Sequence, residues 1–440
     1  MILGCNIKST GCLCGKEHMS AVKNVIKGKG AIEQIPNELE NIKAKKVFLF
    51  ADKNTYMAAG EKTEKIIKDA KYEYSKFIFS EEKLEPDEFA VGSIMMHFDK
   101  SCDVIIAVGS GVINDIGKIL ADISGKPYMI VATAPSMDGY ASETSSMSMD
   151  GLKVSLNSKC ADVIIGDTDI LKNAPINMLK SGLGDMLAKY ISICEWKIAH
   201  TITGEYYCEE IAELIRQSLK NCVENAEGLL NRSETAVETV FKGLVIGGIA
   251  MAYAGVSRPA SGVEHYFSHI WDMRGAVFGT PVEYHGIQCA VGTLISIDLY
   301  EKIKKITPDR RKALKYAEEF EFSNWCNELR SFLGKSAESM ILLEEKEQKY
   351  NPEKHSKRLE CIIKNWDEII NIINSELPSL NKIVSLFDKI GLPKTLEEIG
   401  LEEKILPMSF KCAKDIRDKY VLPRLCWDLG ILDEIVWIPD

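Results

Sequence analysis

Seven histidines occur in the 440-residue chain, and three of them fall between positions 265 and 285. In Gly262-Val263-Glu264-His265-Tyr266-Phe267-Ser268-His269, two imidazoles stand four apart, a spacing that puts them on one face of a helix. Asp272 follows near that face, where a carboxylate can orient a metal-binding imidazole. His285 comes next, in Glu283-Tyr284-His285-Gly286-Ile287-Gln288, at the start of another helical pattern. A catalytic metal commonly takes three protein ligands and keeps a position open for substrate. Asp185, in Ser181-Gly182-Leu183-Gly184-Asp185, is the right type for the third. It is placed near the start of an apolar helical pattern, where a carboxylate also complements the helix dipole. A histidine pair on one helix face equally suits packing plus a hydrogen bond. Spacing alone leaves these alternatives open.

A second kind of chemistry is suggested by Val104-Ile105-Ile106-Ala107-Val108-Gly109-Ser110-Gly111-Val112-Ile113-Asn114-Asp115. An apolar strand runs into two glycines, which let the backbone turn sharply and approach a ligand closely. The helix that starts at about Val112 offers free N–H groups and a positive dipole end to a pyrophosphate. The third glycine of the usual dinucleotide fingerprint is missing, and the acidic candidate, Asp52, comes before the glycines. A carboxylate there holds ribose hydroxyls and repels a 2′-phosphate, which favours NAD over NADP, although Lys53 beside it weakens that preference. A second loop, Thr133-Ala134-Pro135-Ser136-Met137-Asp138-Gly139-Tyr140-Ala141-Ser142, follows another strand and brings hydroxyls and a carboxylate to the same sheet edge. Ligand-free tight turns account for both loops as well.

These groups need a frame. Short apolar runs at Lys46–Ala51, Lys76–Phe79, Val104–Val108, Tyr128–Ala132 and Val163–Ile165 are expected as strands buried on both faces of a mostly parallel sheet. Between them, Val112, Ile116, Ile119, Leu120 and Ile123 recur at helical spacing. After Asp167 strand signals stop and long helical patterns begin. The chain is therefore expected as an α/β dinucleotide-binding domain, residues 1–172, followed by an all-helical domain, residues 173–440, with a hinge at Asn173-Ala174-Pro175. The segment 310–380 is expected as extra helical material with solvated outer faces.

Composition is ordinary for a globular protein, with 46% hydrophobic and 27% charged residues. A net charge of −10 argues against nucleic-acid binding. The 13 cysteines are scattered. No signal peptide is evident, and no run approaches 18 uninterrupted apolar residues, so a cytoplasmic protein without a membrane span is expected. Cys12, Cys14 and His18, with Cys5 nearby, could form a metal knuckle, but the spacing is not that of a common zinc module. Ordinary surface thiols are the plainer expectation.

Taken together, GSGVIND, TAPSMDGYAS, SGLGDMLAKY, SRPASGVEHYFSH and EYHGIQCAVGT resemble the glycerol-1-phosphate dehydrogenase family, most closely its bacterial branch. That family sits in the dehydroquinate synthase-like superfamily, with glycerol dehydrogenases and iron-containing alcohol dehydrogenases. The resemblance covers about Cys12 to Tyr300. It implies that Asp185, His265 and His285 hold one divalent metal, with zinc favoured and nickel or iron as alternatives. It implies dinucleotide contacts at Asp52, Gly109, Gly111, Val112, Ile113, Asn114, Asp115, Thr133, Ala134, Pro135, Ser136 and Ser142. It implies substrate contacts at Asp138, Asp185 and His269, the last two catalytic, and a homodimer.

The activity expected on that basis is interconversion of dihydroxyacetone phosphate and sn-glycerol-1-phosphate with NAD or NADP. The substrate phosphate needs a cation, for which Lys189, one turn beyond Asp185, and Arg258, seven residues before His265, are nominated. The rival readings are a glycerol dehydrogenase, a dehydroquinate synthase-like lyase and a non-catalytic nucleotide-binding module. The lyase is disfavoured because that family carries a longer carboxylate where Asp185 stands.

Overall fold

The computed structural model describes residues 11–149 and 152–437, so Cys5 lies outside the described residues. Its strands are β1 (Asn24–Gly28), β2 (Lys46–Asp52), β3 (Glu73–Phe79), β4 (Val104–Gly109), β5 (Tyr128–Ala132), β6 (Thr144–Met149), β7 (Leu152–Asn157) and β8 (Val163–Asp167). Six of them form one sheet in the order β1-β8-β5-β4-β2-β3, with every neighbouring pair parallel. β6 and β7 form a separate antiparallel hairpin.

The five expected strands are β2, β3, β4, β5 and β8. β4, β5 and β8 are buried throughout, which is why they are near-continuous apolar runs. β1 and the hairpin were not foreseen. β1, Asn-Val-Ile-Lys-Gly, is an edge strand with only two fully buried residues, and Thr-Ser-Ser-Met-Ser-Met of β6 carries too few apolar groups to announce itself.

The sheet order sets where a ligand belongs. The chain leaves β2 for β3 on one side, then returns to β4 on the other side of β2. The crevice beyond the carboxyl ends of β2 and β4 is therefore the topological switch point of the sheet. Asp52 ends β2, Gly109 ends β4 and Ala132 ends β5, so the acidic candidate and both loops share this edge.

The helix after β4 spans Gly111–Ser124. Of the expected stripe, Ile116, Ile119 and Leu120 are buried, but Val112 is half-buried and Ile123 is 57% exposed, while Ile113 turns inward. Gly117 sets this rotation. A Cβ at 117 would lie 2.5 Å from the Tyr128 hydroxyl, so the helix rests its glycine on β5.

After Asp167 the described residues form helices and no strand. The segment 310–380 is the helical run expected: Arg310–Glu318, Phe322–Leu333, Ala337–Glu347, Pro352–Lys364 and Trp366–Glu376. Trp325 packs on the inner side of this run. It is buried, and its indole N–H donates to Asp415 at 2.8 Å.

The chain divides into two compact units, residues 1–186 with 210–257, and residues 187–209 with 258–440. Where strands cease in sequence is therefore not where the sheet unit ends. The helices Ile176–Leu187 and Glu234–Ala254 supply it with packing. Glu234–Ala254 is long and apolar enough to cross a membrane, but 67% of its most apolar stretch is buried in the protein. Its Phe241 packs onto β8 at Gly166, where a Cβ would lie 2.1 Å from the phenyl ring.

Candidate functional site

In the sheet unit, the Asp52 side chain accepts from the Thr55 N–H through Oδ1 at 2.9 Å, and so caps the next short helix. Gly109 and Gly111 turn out to be glycines for different reasons. A Cβ at 109 would lie 2.4 Å from Ile113 Cβ, so the strand-to-helix turn itself excludes it. A Cβ at 111 would make only ordinary contact with Met137, at 3.5 Å. Packing does not require glycine there, while close approach of a ligand backbone would. Ser110, at the N-cap, makes no side-chain capping bond, so it does not occupy the first N–H groups of the helix. Asn114 is fully committed to the protein: its amide donates to the Gly139 carbonyl at 3.0 Å and its oxygen accepts from Tyr128 at 3.1 Å. The Asp115 carboxylate pairs with buried Lys118 at 2.9 Å, and Lys118 also reaches Gly139 O and Ser142 Oγ.

The loop from Thr133 to Ser142 is fastened at many points. Thr133 N–H donates to Gly109 O at 3.0 Å, Tyr140 hydroxyl to Ala134 O at 2.6 Å, and Ser181 hydroxyl to Ser136 O at 2.9 Å. A Cβ at Gly182 would stand 1.8 Å from the Pro135 carbonyl oxygen, so the helix Ile176–Leu187 presses its backbone onto the loop. Three residues on, Asp185 accepts the Asp138 N–H at 2.9 Å, and ligand-type oxygens of the two carboxylates lie within 4.8 Å of each other. Asp185 is fully buried and lies in the last turn of its helix, not near the start. A carboxylate at a helix C-terminus opposes the dipole, so dipole complementation does not account for it.

In the helical unit, His265 and His269 lie on the helix Val263–Phe278, and His285 opens the helix His285–Ile303. The two helices approach closely because Gly292 faces the Glu264 backbone, where a Cβ would sit 2.7 Å from the carbonyl oxygen. The rings of His265 and His285 are 5.1 Å apart, and those of His269 and His285 6.1 Å. His265 Nδ1–H donates to Glu264 at 2.7 Å, and Glu264 thus orients the His265 ring. His285 Nδ1 bonds the Ser268 hydroxyl at 3.0 Å. Buried Cys289, one turn after His285, brings its sulfur within 3.6 Å of His285 Nε2. The donor atoms of His265, His285 and Cys289 lie within 4.8 Å of one another. Burial alone would push the Cys289 thiol up, but His265 and His285 hold it below its ordinary value. Burial, then the charges of His285 and His265, push His269 well below the usual imidazole range.

Both nominated cations have protein partners. Lys189 is fully buried and donates to Ala260 O at 3.1 Å. Arg258 binds the Glu205 carboxylate through Nε and Nη2, at 2.6 and 2.5 Å, and the Tyr420 carbonyl through Nη1 at 2.9 Å. A different cation acts on the histidines. Lys419 donates to Ser261 O at 2.8 Å, just ahead of the His265 helix, and its charge and that of Arg417 are felt at His269. Burial, then repulsion from Arg258, push its ammonium down to about 7. Glu195 braces the same loop, accepting from Val263 N–H at 2.9 Å and Leu422 N–H at 2.7 Å. Burial, then the charge of Glu264, raise Glu195 to about 8. Sequence reasoning missed Glu264, Ser268, Glu195, Cys289 and Lys419. Adjacency to His265 and His269 would have found the first two, and the four-residue spacing from His285 would have found Cys289. Lys419 left no local signal.

Residues 26–175 match the family described as iron-containing alcohol dehydrogenase. A glycerol-1-phosphate dehydrogenase [NAD(P)+] of Halalkalibacterium halodurans is 32% identical over 301 residues, 67% of this chain and 75% of that one. That of Geobacillus thermodenitrificans is 27% identical over 417 residues, 94% of each chain. In fold, the chain is similar to the crystal structure of glycerol dehydrogenase from Schizosaccharomyces pombe, with a TM-score of 0.63 at 17% identity, covering 96% of this chain and 91% of that one. With a relative this similar spanning three-quarters of its own length, the chain belongs to the glycerol-1-phosphate dehydrogenase family.

Proposed function

We propose that the protein interconverts dihydroxyacetone phosphate and sn-glycerol-1-phosphate with a nicotinamide dinucleotide, using one divalent metal held by Asp185, His265 and His285. The observation that carries this reading is the histidine pair. Each imidazole has its Nδ1 engaged by a protein group, Glu264 or Ser268, an arrangement usual for histidines that bind a metal through Nε2. Two such nitrogens and a buried carboxylate suit zinc, nickel or ferrous iron, and zinc is favoured. The helix N-terminus after Gly109, with no side-chain cap and no packing need for glycine at 111, suits a pyrophosphate.

When bound, the cation supplies a Lewis acid for the ketone oxygen and the nicotinamide supplies the hydride. The chain's own residues do the rest. Gly111 and the N–H groups that follow hold the pyrophosphate, and Asp52 holds ribose hydroxyls through the carboxylate oxygen not used in capping. Asp138 holds the substrate. His269 moves the proton at the reacting oxygen. Lys419, with Arg417, holds the substrate phosphate. Arg258 and Lys189 serve from behind, by fixing the Tyr420 and Ala260 carbonyls beside Lys419 and Ser261.

The test is NADH oxidation with dihydroxyacetone phosphate and with unphosphorylated dihydroxyacetone, before and after chelation, followed by chiral analysis of the product. Chelator-sensitive turnover of the phosphorylated ketone to the sn-1 product is expected. Equal turnover of the unphosphorylated ketone would move the protein to the glycerol dehydrogenase reading.

A further inference from the structure

The segment Cys12-Leu13-Cys14-Gly15-Lys16-Glu17-His18 precedes β1 and takes no part in the chemistry above. Sequence spacing left it as surface thiols, but the structure arranges it differently. Cys12 is only 9% exposed and His18 only 2%, while Leu13 between the cysteines is fully exposed. Hydrophobic burial would turn the leucine inward first, so something other than apolar packing organises this turn. The turn is closed by the Gly15 N–H donating to Cys12 O at 3.0 Å, with Gly15 in the left-handed region at φ +77°.

The result is a convergence of metal donors. The sulfurs of Cys12 and Cys14 and a ring nitrogen of His18 lie within 4.8 Å of one another. His18 Nδ1 is bonded to the Tyr253 carbonyl at 3.1 Å, so that nitrogen carries the proton and Nε2 carries the lone pair. Nε2 stands 3.4 Å from Cys14 Sγ. A tetrahedral zinc, with Zn–S about 2.3 Å and Zn–N about 2.0 Å, separates a sulfur and a nitrogen ligand by about 3.5 Å. An imidazole oriented by a backbone carbonyl on its far nitrogen is the arrangement metal-binding histidines usually show.

We propose that Cys12, Cys14 and His18 form a metal site of their own, binding zinc through two thiolates and one imidazole nitrogen. The fourth position belongs to water or to a donor outside this segment. Soft thiolates select zinc over magnesium or calcium, and binding releases the two thiol protons. Through His18 and Tyr253, the bound ion fastens the chain ahead of β1 to the end of the helix Glu234–Ala254. It has no contact with substrate in this scheme.

The test reads the metal directly, without activity. The full-length His265→Ala/His285→Ala protein is purified without chelator and examined by elemental analysis and zinc-edge X-ray absorption. About one zinc per chain with sulfur neighbours at about 2.3 Å is expected. Cys12→Ser/Cys14→Ser in that background loses both the zinc and the sulfur shell. Cys14→His, which keeps a donor, retains the zinc with one sulfur neighbour fewer, and it covers the case in which the serine variant fails to fold. An absent zinc, a shell of nitrogen and oxygen only, or an unchanged sulfur shell in Cys14→His would each overturn the proposal.

Discussion

Glu264→Gln asks whether the histidine pair is a metal centre or a packing pair. One oxygen of Glu264 accepts both the Gly262 N–H and the His265 Nδ1–H, each at 2.7 Å. Glutamine keeps the shape and an acceptor oxygen but loses the charge. A hydrogen bond to an ionised group contributes about 1.5–3 kcal/mol, and a neutral one about 1 kcal/mol. The imidazole should therefore lose about 0.5–2 kcal/mol of support, which is about 2- to 30-fold in metal affinity at 25 °C. The assay is competition against a chromophoric chelator at fixed pH, alongside thermal melting of the metal-free protein. The expected pattern is weaker metal binding with a nearly unchanged metal-free melt. Affinity within twofold of the wild type would refute the orienting role. An equal loss of stability with and without metal would make Glu264 a packing group and remove the support for a metal centre at His265.

Gly111→Ala and Gly109→Ala should behave oppositely: the first leaves the fold as stable or up to about 1 kcal/mol more stable while raising KM for NADH, and the second, with a Cβ 2.4 Å from Ile113 Cβ, lowers Tm before cofactor binding is considered. Gly182→Ala should destabilise the fold by about 1–3 kcal/mol in urea unfolding, since the new methyl meets the Pro135 carbonyl oxygen and must displace backbone. Lys419→Ala should raise KM for dihydroxyacetone phosphate far more than for unphosphorylated dihydroxyacetone, whereas Arg258→Ala should affect both alike. With its ammonium pushed down to about 7, Lys419 is charged below that pH and neutral above it. So kcat/KM, corrected for the phosphate's own ionisation near pH 6, should fall as pH rises through about 7. Lys419→Arg should displace that limb upward by several units, and an unmoved limb would assign it to another group.

The sheet was legible because burial on both faces forces unbroken apolar runs, and β4, β5 and β8 are such runs. The edge strand β1 and the hairpin of β6 and β7 were not, because many of their described side chains meet water and the pattern there resembles loop. The histidine spacing put His265 and His269 on one helix, as they are in Val263–Phe278, and Gly109 and Gly111 marked the turn from β4 into the next helix. What sequence could not supply was pairing across distance. Arg258 looked like an available cation until the structure joined it to Glu205 and Tyr420. Asp185 looked like a helix start, because glycines at 182 and 184 suggest a boundary. Gly182 is instead there so that two stretches of backbone can touch.

The helix Glu234–Ala254 covers β8 from more than sixty positions further along the chain, and Phe241 closes on Gly166. During synthesis, then, the nascent sheet waits with that face wet until the ribosome has passed residue 254 and brought the cover into reach. A fragment ending at 172 would keep this exposure permanently and should aggregate, whatever its secondary structure content. The smallest piece with a dry sheet is one that already includes the excursion through 187–209. Design of truncations or fusions must therefore respect coverage before sequence order.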